Sequence, residues 1–150
     1  MKKLNNNGFS LIELIIVMAI MAILTVAIAP QYLKYVERSR KSTDVQTVAT
    51  LITAIDIYAA DPTSTAAIVD GSKLILNTTD TTVSSTNATG NLDKALENAG
   101  IKSMVLKSSK WVSSGNVEIT IDVDTATGAI SYTDNCTEGS LVKGITVSGS

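Results

Sequence analysis

From Leu11 to Ala29 the chain runs for 19 residues with one charge, Glu13, and no other feature limits its fold so sharply. As a helix the run would be roughly 28 Å long, close to the roughly 30 Å hydrocarbon core of a bilayer. An apolar surface of that extent has to be covered by lipid or by protein. Residues 1–8, MKKLNNNG, form a polar leader with two lysines ahead of it. Three fates are open: removal as a secretory signal, retention as an anchor, or retention after loss of the leader alone.

Secretory cleavage would follow a small-x-small triplet, and Ala27-Ile28-Ala29 offers one. Pro30 would then follow the scissile bond, restraining the backbone and removing an N–H, and the run is long for a signal core. Flanking charge does not orient a plain anchor, because Lys2 and Lys3 on one side face Lys34, Arg38, Arg40 and Lys41 on the other. Neither fate accounts for Glu13. A carboxylate inside an apolar span is costly and marks function, although near a helix end it could instead snorkel to the headgroups.

The remaining sequence excludes several activities. At 150 residues the chain is one domain by length. Its mean hydropathy of +0.25 averages two materials, the apolar run and a remainder rich in Ser, Thr, Asn and Asp. A formal charge of -2, without a long Lys/Arg run, gives no electrostatic footprint for nucleic acid. Histidine is absent, which removes the commonest general base and metal ligand, and the single cysteine, Cys136, cannot close an internal disulfide. The expectation is a non-enzyme with no catalytic residues, no metal and no cofactor.

GFSLIEL, followed by the apolar run and then APQY, resembles the amino terminus of type IV pilins and their pseudopilin relatives. The matching residues are Gly8, Phe9, Glu13 and Pro30, at the family's spacing, with Lys2 and Lys3 in the leader. The resemblance covers about residues 1–60. It implies that a membrane-embedded prepilin peptidase cuts after Gly8 on the cytoplasmic side and N-methylates the new terminus, Phe9. Glycine suits the cut because, without a Cβ, it lets the backbone lie close to a catalytic site. Losing the leader would take Lys plus Arg from 12 to 10 against 14 acidic residues, a formal -4.

The implied organisation is a cleaved leader at 1–8, a transmembrane and filament-core helix at 9–30, and a globular head at 31–150. The implied fold is α+β, a long amino-terminal helix packed on a small antiparallel sheet. The implied partners are further pilin subunits in a homopolymer, the peptidase, an assembly platform with its ATPase motor, and the cytoplasmic membrane before export to an extracellular pilus. Glu13 of one subunit would neutralise the Phe9 amine of the next, and Ala19, Ala22, Ala27 and Ala29 permit close helix approach. Adhesion, surface motility or aggregation are the implied roles. A minor pilin, or a pseudopilin of a type II secretion or DNA-uptake machine, shares all these residues; a membrane-tethered enzyme or binding protein is the reading from a different class.

Two departures from the family pattern stand out. Ala22 occupies a position where many pilins carry glycine; alanine is better in a helix by about 1 kcal/mol. Melting in an assembled filament should therefore be short and centred on Pro30, which biases Ala29 away from helix. Cys136 lacks the partner with which many pilins close their carboxy-terminal segment. That leans toward a Gram-positive major pilin and requires hydrogen bonds, most simply strand pairing by Leu141–Val147.

After Pro30, Val45, Val48, Ile52, Ile55 and Ala59, widened by Leu51, form an apolar helical stripe. Lys34, Glu37, Arg38, Arg40, Lys41 and Asp44 form a collar before it, with i,i+4 pairs Glu37/Lys41 and Arg40/Asp44. The collar reads as solvated, or as a surface meeting neighbouring subunits or anionic headgroups. The helix should end near Asp61-Pro62. Residues 62–90 read as a polar surface connection with a short strand at 73–76, and a helix at 92–99 follows, capped by Asn91 and stopped by Gly100. Strands are expected at 103–107, 117–123, 129–133 and 141–147. Trp111 reads as a core or sheet-edge anchor, and Cys136 as a buried, inert thiol. Asp122 and Asp124 precede a turn, but Ala126 stands where an EF-hand needs a third oxygen ligand, so a hairpin turn is the simpler account. Asn77, Asn87 and Asn135 each begin an Asn-x-Ser/Thr triplet.

Overall fold

The computed structural model describes residues 9–63, 67–77, 84–86, 91–101 and 104–143, with 84–86 described by backbone alone. Gly8, the rest of the leader, Asn87 and residues 144–147 of the expected last strand lie outside the described residues. Element order is α1 (Leu11–Ala60), β1 (Ser72–Leu76), β2 (Ser84–Thr86), α2 (Asn91–Asn98), β3 (Val117–Val123) and β4 (Ile130–Asp134). The chain divides into two compact units, Met1–Arg38 and Ser39–Ser150.

In the first unit the helix runs through Pro30. Proline deletes one backbone donor, and Ala29, expected to lean away from helix, is helical. One lost bond within a run of Leu, Ile, Met and Ala, most of them good helix formers, does not end the helix in the single chain.

In the second unit, the sheet is antiparallel throughout, in the order β2-β1-β3-β4. VEITIDV alternates, so Val117, Ile119 and Ile121 all fall on one face. The register sets Leu74 opposite Ile119 and Leu76 opposite Val117, which brings β1's apolar residues to that same face. These side chains form one core with Val48, Leu51, Ile52 and Ile55 of α1 and with Leu92, Ala95 and Leu96 of α2. Burying each large aliphatic side chain contributes about 1.5–3 kcal/mol, so the α1 stripe and the sheet face hold one another. The opposite face carries Lys73 and Glu118, paired at 3.1 Å and exposed, a contact of small value.

The stripe departs from expectation at its end. Ala59 is exposed, and the last turn packs through Ala54 and Tyr58, so the buried face has moved round the helix. The helix stops at Ala60; Asp61 Oδ1 then accepts the backbone N–H and the hydroxyl of Thr63 at 2.8 and 2.6 Å. Helix α2 ends as expected at a glycine: Gly100 has φ +73 and its N–H donates to the Glu97 carbonyl at 2.9 Å. Asn91 is the first helical residue, and its Nδ2 donates to the Ala67 carbonyl at 2.7 Å, fastening the incoming connection. Between β3 and β4, Asp124 Oδ1 accepts the Ala126 N–H at 2.8 Å and Gly128 takes φ +72, giving the expected hairpin turn.

Two expected strands are not formed among the described residues. Residues 104–107 and 141–143 are irregular; the Leu106 N–H donates to the Asn77 carbonyl at 3.2 Å and the Lys143 N–H to the Ser140 hydroxyl at 3.0 Å, while two aspartates take other amides of these stretches. Asp44 Oδ1 accepts the Lys107 N–H at 2.6 Å, and its Oδ2 accepts the Ser108 N–H at 2.9 Å. Asp134 Oδ2 accepts the Leu141 and Val142 N–H groups at 2.9 and 3.1 Å and the Ser140 hydroxyl at 2.5 Å. A carboxylate offers several acceptor sites in a small volume, so each aspartate can hold two or more donors at the end of its segment without a neighbouring strand.

Candidate functional site

The amino-terminal segment is built from Phe9, Ser10 and the first turns of α1. Phe9 and Ser10 precede the helix, and Phe9 is 84% exposed. The Ser10 carbonyl accepts the Leu14 N–H at 3.3 Å, while Glu13 Oε2 accepts the Ser10 N–H at 3.0 Å. That is the glutamate half of a capping box, in which the third helical residue reaches back to the N-cap amide. The sequence signal was Ser10-x-x-Glu13, overshadowed by the oddity of a charge near an apolar run. An acidic side chain in the first turn also opposes the positive end of the helix dipole. Glu13 therefore has a local role in the single chain before any neighbour is considered.

From Leu11 to Ile28 the large apolar side chains are exposed on every side of the helix, with none of the most apolar window buried within the chain. This helix is long and apolar enough to cross a membrane by length and composition. The one hydroxyl between Leu11 and Ile28, that of Thr25, donates to the Met21 carbonyl at 2.8 Å, so it carries no unmet donor into an apolar medium. Pro30 closes the segment and is exposed. Of the residues singled out from the sequence, Phe9 and Glu13 lie together at the helix start, Pro30 lies at the other end of the apolar run, and Gly8 is outside the described residues.

The second unit holds a polar network that sequence reasoning missed. Asp44, expected in a solvated collar, is fully buried, and its Oδ2 also accepts the Trp111 indole N–H at 2.8 Å. It lies four residues before Val48, on the apolar stripe itself, and that spacing was the available signal. Lys41 lies 4.7 Å from the centroid of the Trp111 ring and donates to the Glu138 carbonyl at 2.7 Å. The Trp111 carbonyl accepts the Thr137 N–H at 2.8 Å. Trp111 is thus the core anchor expected of it, with its ring, its N–H and its carbonyl all engaged.

Around Cys136 the influences that disfavour the thiolate outweigh those of Lys41 and the Leu141 amide, which favour it. Burial, and then the neighbouring Asp134 charge, push the thiol up to about 12, and the residue is half-buried where full burial was expected. Burial works against the Asp134 charge, but the bonds from Ser140, Val142 and Cys136 outweigh it and hold this carboxyl below the usual range. Burial pushes Asp56 upward, and the Tyr132 hydroxyl, which donates to it at 2.5 Å, is raised as well. Among the described residues no group of three or more His, Cys, Asp or Glu is placed to hold a metal ion.

Residues 3–29 match the family model described as the prokaryotic N-terminal methylation motif. No curated protein and no solved structure matches the chain. The matched span ends one residue before Pro30 and takes in Gly8, Phe9 and Glu13.

Proposed function

We propose that this chain, whose residues 3–29 carry the class III signal peptide of type IV pilins, is a structural subunit that polymerises through its amino-terminal helix into extracellular type IV pili serving adhesion, surface motility or aggregation. The motif marks a type IV pilin-like or pseudopilin protein. One observation carries the reading of a polymerising subunit. The motif is continuous with the first part of α1, whose large apolar side chains from Leu11 to Ile28 are all exposed, so the segment requires a second apolar environment.

In this reading residues 1–8 are removed by cleavage after Gly8, residues 9–30 wait in the cytoplasmic membrane, and residues 31–150 form the exported head. A platform and its ATPase motor move the helix from lipid into a bundle of like helices, where apolar contact is kept and close packing is gained. Glu13 pairs with the Phe9 amine of a neighbouring subunit. Pro30 supplies a weak point in the helix where packing in a bundle can open the backbone. The head has no catalytic task.

Mass spectrometry of the mature chain tests the processing: a terminus at N-methylated Phe9 supports the reading, and an intact Met1 overturns it. Electron microscopy with subunit counting then tests the role. Fibres composed mainly of this chain support a major pilin, whereas fibres dominated by another subunit assign it to the minor pilins or pseudopilins.

A further inference from the structure

The four residues just beyond the apolar run that face one way, Gln31, Lys34, Tyr35 and Arg38, line a shallow groove of about 260 Å³ within the first unit. They follow the spacing i, i+3, i+4 and i+7, so they share one helix face. Lys34 and Arg38 are both exposed, and among the described residues neither side chain has a hydrogen bond or ion pair. Like charges at i,i+4 repel unless an anion lies between them. Glu37 is 100° round the helix from Arg38 and does not line the groove. Tyr35 between them is 69% exposed and Tyr32 is 64% exposed, an unusual display for aromatic side chains unless one end is apolar and the other wet.

We infer that this face is a docking surface for the headgroups of anionic phospholipids in the leaflet away from the leader, engaged while the subunit waits in the membrane. The inference rests on the reading of residues 9–30 as a membrane span. If Ala29 marks the edge of the hydrocarbon, Lys34 and Arg38 begin about 8 and 14 Å beyond it. Side chains on a helix lean toward its amino terminus, so both cations lean back toward the headgroup layer. Tyr32 and Tyr35 stand where aromatic belts form, at the boundary itself. A phosphate seated between Lys34 and Arg38 removes their repulsion. Each cation contributes about 1 kcal/mol at an anionic surface, on the order of fivefold in affinity.

The full chain is reconstituted in phosphatidylcholine vesicles containing phosphatidylglycerol, and electron spin resonance of spin-labelled lipids measures how strongly each lipid is retained at the protein. Carbonate-resistant flotation reports insertion separately. The wild type is expected to retain phosphatidylglycerol severalfold over phosphatidylcholine. Lys34→Gln/Arg38→Gln should insert equally well and lose most of that preference, the remainder coming from Lys2 and Lys3, which both proteins share. Salt should weaken the preference in the wild type. Absence of preference in the wild type, or an equal preference in the double variant, overturns the proposal while leaving the membrane span intact; failure of the wild type to insert overturns both. A variant with unchanged lipid preference and poor filament yield would give the face to a neighbouring chain's carboxylate instead.

Discussion

The carboxylate of Asp44 and the indole of Trp111, 67 residues apart, are joined by a buried 2.8 Å hydrogen bond. The same carboxylate holds the Lys107 and Ser108 amides, so three donors converge on one side chain of α1. Asp44→Asn keeps the shape but turns one acceptor oxygen into a donor, leaving at least one buried N–H without a partner. The expected cost is about 1–3 kcal/mol. Thermal unfolding of the full chain in detergent measures it. Trp111 is the sole tryptophan, so a red shift of its emission would report the loosened loop directly. An unchanged midpoint and spectrum would show that the network is not what fixes residues 104–111.

Asp134 should give the carboxy-terminal segment an acid-sensitive hold. Its folded-state pKa lies below the ordinary value of 3.8, so its ionised form is favoured by folding. The stabilisation is then fully present above the unfolded-state value and is lost as pH falls through the lower folded one. Hydrogen-exchange protection of the Cys136, Leu141 and Val142 amides, taken relative to their intrinsic exchange rates, should be high near neutrality and fall only under strongly acidic conditions. Asp134→Asn, which cannot keep all the acceptor sites, should show low protection at every pH.

Cys136 is expected to resist alkylation. With the thiol pushed up to about 12, the thiolate is a small fraction at pH 8, and iodoacetamide should label it far more slowly than an exposed cysteine. Asp134→Asn removes the neighbouring charge and loosens the cover, so labelling followed by mass spectrometry should quicken. Equal rates in both proteins would mean that burial alone sets the reactivity.

What could be read from the sequence follows from how local the controlling interaction was. The apolar run, the alternation in VEITIDV and the glycine stop after α2 are short-range patterns, and β3, α2 and the helix end near Asp61 fall where those patterns place them. The strands expected at 103–107 and 141–147 looked equally apolar. Their described parts are organised by Asp44 and Asp134, whose partners are 63 residues away in one case and six to eight in the other. No periodicity reveals a carboxylate that holds the end of an irregular segment. Asp44 was hidden by its company: read along the chain it belongs to a charged collar, and read round the helix it belongs to the core. At the amino terminus the motif located Phe9 and Glu13, but not the bond from Ser10 that occupies Glu13 in the single chain.

That bond allows the two roles of Glu13 to be separated. As a cap, the carboxylate needs only an acceptor oxygen for the Ser10 N–H; as a partner for a neighbour's amine, it needs its charge. Glu13→Gln keeps the first and removes the second, whereas Glu13→Ala removes both. Loss of the cap costs about 1 kcal/mol at the helix start. Loss of one member of a buried ion pair costs about 3–5 kcal/mol, because the other charge remains buried and alone. Both variants should still be cut after Gly8, since the apolar helix and the leader are unchanged. If charge pairing sets register during assembly, both should also fail to form fibres, and an added Glu at no other position should restore them. If capping is the whole role, Glu13→Gln should assemble like the wild type while Glu13→Ala does not. Immunoblots for leader removal and sheared-fibre yields distinguish the cases, and the expected outcome is normal cleavage with fibre loss in both variants.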